Sequence, residues 1–266
     1  MTQPTVSLNV LSRVRKGDPT SSGTGNFSCV VYGGSGTGKT TSLSTLTTDP
    51  RKTIILVTER NLMSLKRTGC DYLYVATWAE LISTVQEISS ALQRGNFPYE
   101  AVAWDSLTAA EPLIILGLTG KEIAPLDAWK VVKARLRSLI NDMADWVNAE
   151  KFPKQTIDLV ITAGQDRTVV EHRETAQQLI GPDTPGKAIA PIFFRLCDCV
   201  FYSHVADSFD DQTKAVVSRH LWRTSGNDLI EAKDGTSVMD VISPQDFQIL
   251  RRRRIEAAAA KAEKPA

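Results

Sequence analysis

The sequence predicts an α/β fold: a mostly parallel sheet flanked by helices, with antiparallel strands and a terminal helix toward the C-terminus. Three observations carry that expectation. Short β-rich runs alternate with helical patterns from "FSCVVYG" onward, as crossover connections between parallel strands require. The run at 28–32 leads directly into the glycine-rich turn "GGSGTGKT" and a helix start. A later apolar run, "AVAWDSLT", ends in an acid, the pattern of a buried strand that delivers a carboxylate at its tip.

The strands are expected at 28–32, 53–58, 72–76, 99–104, 157–163, 198–205 and 215–223. "TWAELISTVQEISSALQRG" opens with a capping box, Thr77 and Glu80, repeats Leu81, Val85, Ile88 and Leu92 on one face, and stops at Gly95. A second helix carries Trp129, Val132, Leu136, Leu139, Met143 and Trp146 at spacings of 3, 4, 3, 4 and 3, a core-facing stripe. Residues 164–187 are polar, with Gly181, Pro182, Pro185 and Gly186 near the end, and read as a long functional or mobile loop. Ser243-Pro244 reads as a helix entry. The organisation is thus an N-terminal arm at 1–25, an α/β core at 26–242, and a C-terminal helix with a basic, alanine-rich tail at 243–266.

At 266 residues, 42% hydrophobic and 23% charged, the chain can bury one substantial core. Cys29, Cys70, Cys197 and Cys199 form no CxxC pair and no zinc spacing, so reduced, partly buried thiols are expected, with Cys197–Cys199 in a strand. The N-terminus lacks a signal-peptide pattern, and no apolar run approaches the ~20 residues of a membrane span. A soluble, cytoplasmic protein with no membrane partner is therefore expected. Residues 251–266 hold six bases against two acids, a local +4 that leaves −3 for the rest of a chain whose net charge is +1. The run Arg251–Arg254 reads either as a solvated helix face or as a nucleic-acid contact. His172, His204 and His220 have no triad or metal spacing and receive no role.

Gly33, Gly34, Ser35, Gly36, Thr37, Gly38, Lys39 and Thr40 match GxxxxGK followed by Ser or Thr. Glycines let the backbone wrap phosphate and turn successive N–H groups inward, and Thr41 continues into the helix. Lys39 should reach the outer phosphates, and the Thr40 hydroxyl should ligate Mg²⁺. Asp105, ending its apolar strand, should hold the same ion through water. The residue after Asp105 is Ser106 rather than a glutamate, so an activating base must come from elsewhere or hydrolysis must be weak. Glu59 ends the strand after the cradle helix, where ligands of parallel sheets bind, and could polarise an attacking water.

These motifs together resemble the RecA-like P-loop ATPases, and in particular phage-type nucleotide-binding ATPases related to phage single-strand annealing and recombination proteins. The likeness spans roughly residues 28–250. It implies a RecA-like core, ATP with Mg²⁺ as the bound nucleotide, Glu59 as the catalytic carboxylate and Asp105 as the metal-holding one. It implies further that Gln165, ending "LVITAGQ", senses the γ-phosphate. Lys233 in "EAKDG" fits a motif whose basic residues reach a neighbour's nucleotide, although Gly235 stands where Arg is usual. Implied partners are a homo-oligomer (ring or filament), single-stranded DNA and a single-strand DNA-binding protein, in host cytoplasm if phage-encoded. A nucleotide-gated assembly module with little turnover is the alternative. No guanine-reading NKxD and no arginine-rich kinase lid are evident. The polar segment 164–187 carries three bases (Arg167, Arg173, Lys187) against four acids, which weakens it as a DNA contact.

Overall fold

The computed structural model describes residues 25–59, 63–122, 128–172, 175–184, 189–210 and 215–262. Residues 1–24 of the expected arm at 1–25, and Arg173 and Lys187 of the polar segment, lie outside them. In chain order the elements are β1 (Ser28–Gly33), α1 (Lys39–Ser42), β2 (Thr53–Val57), α2 (Met63–Lys66), β3 (Asp71–Tyr74), α3 (Trp78–Arg94), β4 (Ala101–Asp105), α4 (Leu107–Thr119), α5 (Trp129–Ala144), β5 (Asp158–Ala163), β6 (Gln165–His172), β7 (Thr175–Pro182), α6 (Ala190–Leu196), β8 (Cys199–Asp210), β9 (Ala215–Arg223), β10 (Lys233–Asp234), β11 (Ile242–Pro244) and α7 (Phe247–Ala262).

The main sheet runs β11-β9-β8-β1-β5-β4-β2-β3, with β10 added to β8. From β8 to β3 all pairs are parallel, and β9, β10 and β11 join antiparallel. The strands β1, β4 and β5 are buried along their whole length, as strands covered on both faces must be. On one face α3, α4 and α5 pack Trp78, Leu81, Val85, Leu107, Ile114, Leu136 and Met143 against Val30, Leu56 and Trp104. On the other, Leu43, Leu46, Phe247 and Leu250 cover Val31, Ile55 and Phe201.

Helix α3 follows its sequence signals. Thr77 accepts from the Glu80 N–H at 3.2 Å, Glu80 accepts from the Thr77 N–H at 3.2 Å, and Gly95 ends the helix at φ 75°. The α5 stripe is buried from Val132 to Met143, and Trp146 continues it in a 3₁₀ turn. Helix α4 has no sequence forecast. Its apolar residues surround it with little periodic contrast, and Pro112 lies inside it, so neither period nor breaker rules reveal it.

Three expectations are corrected. The polar segment is mostly a hairpin, β6 with β7, paired from Gln165↔Pro182 to His172↔Thr175 as a separate two-stranded sheet. It escapes the apolar signature of strands built into the main sheet. Ser243-Pro244 belongs to edge strand β11, and α7 begins at Phe247; Pro suits an edge because it has no N–H to donate. Cys197 caps α6, so only Cys199 of the cysteine triplet enters a strand.

Three of the four arginines in the run are engaged within the chain. Arg254 is buried, with its guanidinium 5.6 Å from the centre of the Phe27 ring. Arg251 pairs with fully buried Asp158, which also accepts the Phe27 N–H at 3.0 Å, and Arg253 pairs with Asp240 at 2.6 Å. Only Arg252 of the four is exposed. These contacts bolt α7 to the base of β1 and β5. Arg251→Met leaves a buried carboxylate without its cation, and should cost about 2–3 kcal/mol in urea denaturation at neutral pH. The double variant with Asp158→Asn should recover part of that loss.

Candidate functional site

Every residue of the expected phosphate cradle lies at the carboxyl end of β1, lining a cleft of about 820 Å³, a volume suited to a small ligand of nucleotide size. Gly38 caps α1 at φ 93°, in the left-handed region where glycine is favoured. A Cβ there would lie 2.7 Å from Gln245 Oε1 and 2.9 Å from His220 Nδ1, and a Cβ on Gly33 would lie 2.2 Å from the Ser203 carbonyl oxygen. Both glycines therefore answer to close packing as well as to turn geometry. Helix α1 is a single turn continued by 3₁₀ residues Leu43–Thr45, so no long helix macrodipole stands behind the loop.

Lys39 Nζ donates to the Gly33 and Gly34 carbonyls at 2.8 Å each, which holds the ammonium over the loop. Burial lowers its pKa, against the opposing influence of Asp105 and Glu59. Asp105 is 4% exposed. One of its oxygens accepts from the Thr40 hydroxyl at 2.8 Å, and the other accepts a short bond from Thr162 on β5. Burial pushes its pKa up, and the two hydroxyl donors oppose that shift. An ionised carboxylate paired with a threonine hydroxyl offers the hard oxygen donors that Mg²⁺ prefers, so the residues fit the expected metal.

Glu59 lies two residues past the Val57↔Asp105 pair of β2 and β4. The Thr58 N–H donates to the Asp105 carbonyl at 2.9 Å, and its hydroxyl to the Ser106 carbonyl at 2.6 Å, so the two strand tips are tied together. Ser106 then donates to Glu59 Oε1 at 2.6 Å. Gln165 opens β6 immediately after β5; its side chain lies 3.8 Å from the position of a Cβ on Gly34, and Tyr202 Oη donates to its Oε1 at 3.2 Å. Lys39, Thr40, Glu59, Asp105 and Gln165 thus line one cleft.

Lys233 stands elsewhere. It pairs with Val200 near the start of β8, while the cradle residue Gly33 pairs with Ser203 from the strand on the other side, an offset of roughly 10 Å along β8 at ~3.3 Å per residue. Its Nζ donates to the Phe194 and Cys197 carbonyls at 2.9 and 3.0 Å, capping α6. Gly235 is close-packed: a Cβ would lie 2.4 Å from the Asp198 carbonyl oxygen, so the arginine usual in the resembled motif has no room here.

Sequence reasoning missed several residues of the site. Ser106 was noted only as the residue replacing an adjacent glutamate, and Thr162 was unremarked, although a hydroxyl inside the apolar run "LVITA" was a usable signal. Thr108, which accepts the Gly164 N–H at 2.8 Å, and the rim residues His220 and Gln245 carried none.

A parallel sheet with a glycine-rich phosphate loop after β1, a buried aspartate at the tip of β4, and antiparallel strands added at one side defines a P-loop NTPase fold. A family model described as "AAA domain" matches residues 26–236, and the chain belongs to that family, whose domains bind nucleotide. No curated protein matches the chain. No helix among the described residues is long and apolar enough to cross a membrane.

Ser106→Ala removes the donor that orients Glu59 and the N-cap bond from the Ala109 N–H. The cap loss should lower stability by about 1 kcal/mol in thermal melts. Nucleotide affinity measured by titration should stay within twofold of the parent, since Ser106 donates to neither the loop nor Lys39.

Proposed function

We propose that the protein is a Mg²⁺-dependent ATPase with a RecA-like core, in which Glu59 activates the attacking water. The single observation that supports this best is the convergence of Glu59 and Asp105 on the cleft from adjacent strand tips, one carboxylate engaged by Thr40 and the other by Ser106. In this reading the loop N–H groups and Lys39 bind the phosphates, Lys39 leaving the Gly33 and Gly34 carbonyls for the ligand. Thr40 and Asp105 hold Mg²⁺, which when bound neutralises phosphate charge. Glu59, half-buried and fixed by Ser106, accepts a hydrogen bond from water and takes its proton as the water oxygen bonds to the γ-phosphorus, the β–γ bridging P–O bond breaks and ADP leaves. Gln165 contacts the terminal phosphate and relays its presence to Tyr202 on β8 and to the β6–β7 hairpin.

The resemblance to phage-type annealing and recombination ATPases extends the proposal to control of assembly, or of a grip on single-stranded DNA, by the nucleotide state. The alternative, a nucleotide-gated module with little turnover, draws on Ser106 occupying the position beside Asp105.

Two measurements test the proposal. Glu59→Gln should bind ATP normally and hydrolyse it at least about a hundredfold more slowly, whereas Lys39→Ala should lose binding itself. Unchanged turnover in Glu59→Gln would remove the assigned base. Turnover measured across a protein concentration series, with and without single-stranded DNA, should rise with both. Negligible turnover throughout would favour the gated module.

A further inference from the structure

The cleft has two chemically different ends, divided by β1. On the β5–β4–β2 side stand Asp105 and Glu59. On the β8–β9–β11 side stand His220 and Gln245, with Ser44 and Thr45 of the 3₁₀ turn completing the rim. This second end is polar, and none of those four side chains is an acid, a lysine or an arginine.

A nucleoside triphosphate laid across the loop has only one orientation that suits both ends. Its terminal phosphates belong near Lys39, Thr40 and Asp105, so its nucleoside must leave toward β9 and β11. The wall it meets there is firmly built. The two hydrogens of Gln245 Nε2 are shared among the Thr37 carbonyl at 2.9 Å, Ser203 Oγ at 2.6 Å and the Leu221 carbonyl at 3.0 Å, which ties the cradle loop to the end of β11. Strands β9 and β11 pair through Trp222↔Ser243 and Leu221↔Pro244. Trp222, buried against Phe247 with ring centres 4.5 Å apart, anchors that pair in the core.

His220 sits two residues before Trp222 on the same face of β9, with its ring against Gly38. It is exposed, so the core does not need it, and its ring has no hydrogen-bond partner among the described residues. We propose that His220 is the nucleoside-binding wall of this cleft: a flat, polar ring that packs on the base or ribose of a nucleoside triphosphate and contributes nothing to holding its phosphates. The proposal rests on the nucleotide reading above and adds which residue recognises the non-phosphate half of the ligand.

The test is equilibrium titration of the full chain with ATP and, separately, with inorganic tripolyphosphate, both with Mg²⁺. The parent should bind ATP more tightly than tripolyphosphate. His220→Ala should weaken ATP binding about tenfold, the scale of a lost aromatic–base stack, while tripolyphosphate affinity stays within twofold. Lys39→Ala supplies the opposite signature, weakening both ligands together. Matched melting temperatures and circular dichroism establish that His220→Ala is folded, and His220→Phe, which keeps a flat ring, should restore most of the ATP affinity. Unchanged ATP affinity in His220→Ala, or a parallel loss for both ligands, would overturn the assignment while leaving the phosphate cradle intact. Failure of the parent to bind either ligand would overturn the nucleotide reading and this inference with it.

Discussion

The site is organised around a buried carboxylate that must be satisfied. Asp105, buried at the tip of β4, cannot remain ionised without donors, because desolvation of a lone charge there costs several kcal/mol. Its two donors come from different places: Thr40 at the start of α1 and Thr162 on β5. Fixing one side chain therefore registers the cradle loop, β4 and β5 against one another. The Thr58 bonds to Asp105 and Ser106 extend the same register to β2, and through Ser106 to Glu59. The acidic half of the cleft is one hydrogen-bonded unit.

The sheet order turns this unit into a polar axis. Since β1 lies between β5 and β8, the loop after it is flanked by Asp105 and Glu59 on one side and by His220 and Gln245 on the other. The antiparallel strands are themselves tied down from below. Asp234 accepts from the Val238 and Met239 N–H groups at 2.8 Å each, Lys233 closes α6, and Arg251 and Arg254 dock α7 against β1 and β5. Lys233, Arg251 and Arg254 thus brace, from within the chain, the strands beside His220 and Gln245.

How much of this was legible varied with the distance over which the interactions act. The α3 boundaries could be read because a capping box and a C-terminal glycine are local devices, complete within the helix and its flanks. The hairpin β6–β7 could not, because two polar strands that pair only with each other leave no periodic apolar trace. Arg251–Arg254 illustrates the same limit. Four adjacent cations look alike in sequence, yet a helix points them in different directions, toward Asp158, solvent, Asp240 and the Phe27 ring.

The sequence by itself determined the phosphate loop, because its eight residues are contiguous and their chemistry does not depend on what packs around them. It also determined that Asp105 and Glu59 emerge at strand ends, because an apolar run followed by an acid has few other stable placements. Only the tertiary structure decided that Ser106 holds Glu59, 47 residues away, that Thr162 holds Asp105 across 57, and that His220 faces Gly38. Those pairings depend on strand order and register, which arise when several segments bury their apolar faces together and which no single segment encodes.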